Sequence, residues 1–87
     1  MAGRENEKDI EYPAELTFKS VFRSSSNARS QIEDVLSDQG LKATVKDRES
    51  SRGKFISFTI TAIFPSAESL RHTCDRIASI NGFMTMF

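Results

Sequence analysis

Residues 52–64 read RGKFISFTITAIF, and the two-residue periodicity of this run decides the fold. Ile56, Phe58, Ile60, Ala62 and Phe64 recur at period two and so fall on one face of an extended chain. Phe55, Ser57, Thr59, Thr61 and Ile63 fall on the other. The run is rich in β-branched and aromatic residues and lacks proline, which suits a central strand. One face is apolar throughout and must be buried. The other is half polar, so a sheet built on this strand is expected to be covered on one side only.

Upstream, the polar cluster Glu49, Ser50, Ser51, Arg52 and Gly53 reads as a hairpin turn. It leads back to a second strand over residues 41–48, with Leu41, Ala43 and Val45 on the core face. Lys42, Thr44, Lys46 and Arg48 form its outer face. Gly40 stops the helix that precedes this strand. That helix runs to about Gln39 and carries Ala28, Ile32, Val35 and Leu36 at helical spacing. RSSSN at 23–27 reads as a loop ending in a helix N-cap. Before it, residues 14–22 form a first strand with Leu16, Phe18 and Phe22 on one face and Thr17, Lys19 and Val21 on the other.

Downstream, Pro65-Ser66 ends the long strand and starts a second helix, with Ser66 as N-cap. This helix runs to about Ile80. Its expected buried stripe is Ala67, Leu70, Cys74, Ile77 and Ala78. Asn81-Gly82 ends it, and residues 83–87 form a short last strand. The order is βαββαβ. Two right-handed crossovers then place both helices on one face of a four-stranded antiparallel sheet. The expectation is therefore an α+β, ferredoxin-like sandwich. Residues 1–11 are charged, with Ile10 as the only large apolar residue besides Met1. They are expected to form a disordered tail, with a single domain over 12–87.

A chain of 87 residues suffices for one small core, in which seven Phe and no Trp make phenylalanine the main filler. Twelve basic residues balance twelve acidic ones, so total charge favours neither a nucleic acid nor a membrane. The single cysteine forbids an internal disulfide and fits a reducing compartment. The first residues have no apolar core of a secretory signal, and no apolar run reaches a membrane span. A cytoplasmic location is expected.

Chemistry-bearing groups are few. Cys74 and His72 are the only residues of their kinds, and they lie on different faces of the second helix. A metal site needs more ligands, and a Cys-His nucleophile needs the pair together. No catalytic set, metal or cofactor is expected. The open sheet face is more informative, because Lys19, Lys42, Lys46 and Arg48 collect there around Phe55 and the Ser and Thr residues. No acidic residue is assigned to it. The simplest explanation is that edge-strand lysines block sheet-to-sheet pairing. The functional alternative is a surface for an anion or acidic partner. Arg23, Ser25 and Ser26, at the start of the first helix, form a second candidate anion site, where free backbone N–H groups would bind.

Residues 52–58 share the outline of the RNA-recognition strand motif. That motif stacks bases on aromatics two apart on the open face. Here Phe55 has Ser57 as its same-face neighbour, and Phe58 points into the core. A nucleic-acid module on the basic face is therefore the second expectation rather than the first. Self-association is expected through the apolar part of the open face, where Val21, Phe55, Ile63, Met84 and Met86 are placed.

The segments EYPA (11–14), LTFK (16–19), SSRGKFIS (50–57) and NGFM (81–84) also carry a family likeness. In their order and spacing they resemble the YbeD-like family of small bacterial proteins of unknown function. The likeness covers residues 11–87, and its most specific part is the block SSRGKFISFTIT. It implies a ferredoxin-like fold similar to ACT regulatory domains, which bind small effectors and pair with one another. The chain departs at Val21-Phe22-Arg23, where many members have an aliphatic-Gly pair, so no ligand loop is carried over. The family offers no catalytic residue. The resulting expectation is a non-enzymatic, ACT-like regulatory or interaction domain that binds a protein partner or a small anionic effector.

Overall fold

The computed structural model describes residues 10–24, 27–50 and 52–87. The expected tail lies outside the described residues up to position 9, and Ile10 and Glu11 precede the first strand as exposed residues. The elements are β1 (Ala14–Arg23), α1 (Ala28–Asp38), β2 (Ala43–Glu49), β3 (Phe55–Phe64), α2 (Ala67–Ala78) and β4 (Phe83–Met86). They form an antiparallel sheet in the order β2-β3-β1-β4. This is the βαββαβ ferredoxin-like fold.

β1 and β3 pair along their whole length, from Ala14 opposite Phe64 to Arg23 opposite Phe55. This register puts Phe18, Ser20 and Phe22 on the same face as Phe58, Ile60 and Phe64. Phe22 and Phe58 are fully enclosed, and their rings meet edge-on at 5.7 Å. Phe83 of β4 packs on the other side of Phe22 at 5.5 Å. Ala28, Ile32, Val35 and Leu36 of α1 and Ile77 of α2 complete one core with Ile80, all on that face.

Local chemistry explains the helix ends. Gly40 adopts φ +68°, which a side chain would resist. Its N–H donates to Ser37 O at 2.9 Å, and Leu41 N–H donates to Leu36 O at 3.1 Å. This paired closure satisfies the last carbonyls of α1. At the start of α2, Ser66 Oγ accepts from Ser69 N–H at 3.1 Å. Asn27 stands at the N-cap of α1, but its side chain makes no capping hydrogen bond.

Four expectations need correction. The buried residues of α2 are Thr73 and Ile77, joined by Ile80 just beyond the helix, whereas Leu70 and Cys74 are only half-buried and Ala67 and Ala78 are exposed. Thr73 and Cys74 flank Ile77 on the helical wheel. Burial of Ile80, on Thr73's side, rolls the helix that way. Phe18 and Ile56 are half-buried against the core rather than inside it. β2 starts at Ala43, because Leu41 is used in closing α1, although Lys42 O still accepts from Ile63 N–H at 3.2 Å. Finally, a bulge between Val21 and Phe22 shifts the β1–β4 register, so Phe83 and Met86 both pack on the core side. Met86 therefore leaves the open face, and Met84 is the extra residue of the bulge.

The register makes a paired prediction. Phe58→Ala is expected to cost about 3–5 kcal/mol, whereas Phe55→Ala, at a position 38% exposed, should leave the urea midpoint almost unchanged. A large loss for Phe55→Ala with little loss for Phe58→Ala would show a register slipped by one residue. The Thr73 hydroxyl is buried with no hydrogen-bond partner among the described residues. Thr73→Val removes this unsatisfied group and should raise stability by about 1 kcal/mol. A lower melting temperature would mean that the hydroxyl has a partner.

Candidate functional site

The helix-free face is a grid set by the strand register. One row runs Lys46, Thr59, Lys19, from β2 through β3 to β1. Lys19 also exchanges two backbone hydrogen bonds with Phe87, at 2.7 and 2.8 Å. Adjacent strands lie about 4.8 Å apart, so the two lysine backbones stand about 10 Å from each other across Thr59. The next row is Arg48, Ser57, Val21 and Thr85. On the other side, Thr44, Thr61 and Thr17 form a row of hydroxyls, with the Thr17 and Thr61 oxygens 2.9 Å apart. Three cations thus surround a hydroxyl-lined centre, and all three are exposed.

The end rows differ in charge. Lys42 lies beside Ile63, which is opposite Glu15. Glu15 shares the parity of Thr17 and Lys19 and is exposed, so the face carries an acid where none was expected. At the far end Arg23 is opposite Phe55. Val21, Arg48, Glu49, Ser50, Phe55 and Ser57 line a shallow depression of about 270 Å³, with its apolar side made by Phe55 and Val21.

The hairpin beside this depression is pinned in place. Gly53, at φ +69°, lets the turn close with its N–H on Ser50 O at 2.9 Å. Ser24 N–H donates to Lys54 O at 3.0 Å, and Ser24 Oγ donates to Gly53 O. The turn is thereby tied to the residue following β1, beside Arg23 and Phe55. The second candidate anion site is not assembled in the same way. Ser25 and Ser26 lie outside the described residues, and Arg23 belongs to the open face.

Sequence reasoning missed one group on the opposite side. Arg29 of α1 reaches over β2, where it donates to the Asp47 carboxylate and, at 3.3 Å, to Val45 O. Its Nε also pairs with Glu33 at 3.1 Å. The Asp47 hydrogen bond raises the already high guanidinium pKa further, so the clamp stays charged. A signal was present in the sequence. Asp47 is an acid at a core-face position of an edge strand, and such a group needs a partner.

Cys74 is free and half-buried, while His72 is exposed. Burial, aided by Asp75, pushes the Cys74 thiol above its ordinary value. Between the helices a groove of about 340 Å³ is lined by Gln31, Asp34, Val35, Arg76, Ser79 and Ile80. Its Arg76 is paired with Asp38 at 3.1 Å. Among the described residues, no three His, Cys, Asp or Glu come together as a metal cage.

A family model described as "Protein of unknown function (DUF493)" matches residues 7–87. The chain belongs to that family. The solution structure of protein HP0495 from H. pylori is similar to this DUF493 chain with a TM-score of 0.78 at 14% identity, over 90% of this chain and 85% of that one. The C-terminal domain of the MgtC protein from Mycobacterium tuberculosis is similar with a TM-score of 0.66 at 7% identity, over 90% and 88% of the two chains. At these identities the likeness shows the fold alone. No curated protein matches in sequence. No helix among the described residues is long and apolar enough to cross a membrane.

The raised thiol yields a kinetic prediction. Only the thiolate attacks alkylating reagents, so Cys74 should react at neutral pH more slowly than a free thiol. Its rate should keep rising at pH values where the model thiol has levelled off. A rate matching free cysteine across the range would mean that the helix opens readily around Cys74.

Proposed function

We propose that this DUF493 domain is a non-enzymatic regulatory or interaction module that binds an acidic partner on its helix-free sheet face. One observation carries this reading. Lys19 sits on β1, an interior strand, and forms a row with Lys46 across Thr59. Edge protection accounts for charges on β2 but gives no reason for a lysine in the middle of a sheet. Two ammonium groups, the Arg48 guanidinium and flanking hydroxyls offer carboxylates several charge-assisted hydrogen bonds. Phe55 and Val21 add apolar area at one end of the same face.

The arrangement favours a protein carboxylate surface or small anionic effector over a nucleic acid. Phe55 has a serine rather than an aromatic as its same-face neighbour, so successive bases would find only one stacking platform. A regulatory role resembling that of ACT domains follows from the same face, with occupancy as the signal. Self-association belongs to this reading as well, through exposed Met84 and Phe87 beside the short β4 edge. Sedimentation at high protein concentration measures it.

Binding of poly-glutamate at low salt tests the main claim. The double variant Lys46→Gln with Arg48→Gln should weaken it about two- to thirty-fold, as expected for two exposed charge pairs. Both sites are exposed, so the melting curve should stay unchanged. Lys19→Gln should act in the same direction. No binding by the parent protein, or full binding by the variants, would place the partner surface elsewhere. A duplex DNA probe whose binding weakens with a salt slope near −3.6, roughly −0.9 per contacted phosphate for four contacts, would favour the nucleic-acid alternative.

A further inference from the structure

We infer that the depression at the hairpin end of the open face is a binding site for a small aromatic monocarboxylate. The inference rests on the reading of that face as an anion surface and names the effector it takes. Three strands meet at this point. Arg48 of β2 and Val21 of β1 both lie opposite Ser57 of β3, one on each side of it. Phe55 lies two residues before Ser57 on the same face, which makes it the diagonal neighbour of both. Diagonal positions stand about 7–8 Å apart, within reach of long and aromatic side chains. A cation thus stands on one side of Ser57, an aliphatic group on the other and a ring at the end. All four side chains line one depression of about 270 Å³.

Ring and cation are both available to a ligand. Phe55 is 38% exposed, and among the described residues its ring takes part in no ring-to-ring contact. Its backbone is held in place. Phe55 N–H donates to Ser50 Oγ at 3.2 Å, and Phe55 O accepts from Ser50 N–H at 2.8 Å. A ring fixed before the ligand arrives lowers the ordering cost of binding. Arg48 is exposed and makes no ion pair among the described residues, whereas Arg29 and Arg76 are each paired with acids. A guanidinium takes a carboxylate through two parallel hydrogen bonds. An aromatic ligand stacks on Phe55 with an offset. A ring bearing a carboxylate on a short arm therefore bridges the diagonal from Phe55 to Arg48. Drug-sized ligands fill about 300 Å³ or more, so this smaller depression suits a single ring. Glu49 also lines it and balances Arg48, so a second carboxylate on the ligand would meet an acid. Arg52 and Lys54 line an adjoining depression that shares Ser50 and Phe55, and they add attraction for an approaching anion.

Phenylacetate is the probe, titrated at low salt and followed by amide resonances. Shifts at Val21, Phe55 and Ser57 should saturate together, with a dissociation constant in the millimolar range, as expected for a ligand of about ten non-hydrogen atoms. Phenylacetamide has the same shape without the charge and should bind about two- to five-fold more weakly. Phenylacetate should lose a similar factor on Arg48→Gln, and about two- to ten-fold on Phe55→Ala. Both variants should melt as the parent does, because both sites are exposed. Phenylmalonate carries a second carboxylate on the same ring and should bind no more tightly than phenylacetate. Shifts that never saturate, shifts centred on the groove beside Gln31 and Arg76, or equal binding of phenylacetamide overturn the inference. Tighter binding of phenylmalonate overturns its single-charge form. Binding of poly-glutamate without phenylacetate overturns this inference and leaves the acidic-partner reading standing. Binding of phenylacetate without poly-glutamate keeps the site and removes the wider reading.

Discussion

The pairing of β1 with β3 is the constraint on which everything else depends. Ten residues of each strand meet without interruption, and these are the two inner strands of the sheet. Their shared parity fixes which side chains face the helices. Phe22 sits between Phe58 and Phe83, so one ring ties three strands together. A shift of one residue would expose these phenylalanines and bury Lys19. The desolvation of that ammonium alone would oppose the shift. Core and open face are thus determined by a single register.

The two sheet edges are handled differently. β2 carries exposed charges along its open side and is covered by Arg29 on the other, with Val45 O occupied by the guanidinium. A second strand approaching there would have to displace that bond and desolvate the charges. β4 is only four residues long, and its bulge interrupts the ladder with β1. Short length and local twist limit pairing along it. Among the described residues, no helix covers the broad open face.

Most of this architecture was legible because it is periodic. The alternation in residues 55–64 placed Phe58, Ile60 and Phe64 inside, and it placed Lys19, Lys46 and Arg48 outside through pairing with neighbours of the same parity. The parts that were not legible depend on contacts between distant segments. Thr73 rather than Cys74 is enclosed because Ile80, beyond the last turn of α2, rolls the helix. Met86 turns inward because a bulge adds one residue, and no alternation in a four-residue strand can reveal that. The Arg29–Asp47 pair spans 18 positions and joins a helix to an edge strand. Glu15 was readable from parity, since it precedes Thr17 and Lys19 by even steps, but it lies at the strand's first turn, where parity was not followed.

A net charge of zero hides a separation of charge in space. The cations of the open face lie on one side of the sheet. On the helical layer Glu33 and Asp38 are paired with Arg29 and Arg76, while Asp34, Glu68 and Asp75 are exposed, as is Arg71. Among the described residues, charge is therefore spread unevenly between the two layers, with the excess of cations on the open face. At physiological ionic strength screening acts over about 8 Å, less than the thickness of a sheet with its helices. An acidic partner near the sheet feels Lys19, Lys46 and Arg48, while the acids behind them are screened. The same screening limits long-range attraction, so under the proposed reading recognition on this face would rest on contact: carboxylates spaced to match a two-residue repeat, hydroxyls beneath them, and Phe55 at one end to fix direction. Under the proposed reading, such a surface would select by pattern rather than by total charge.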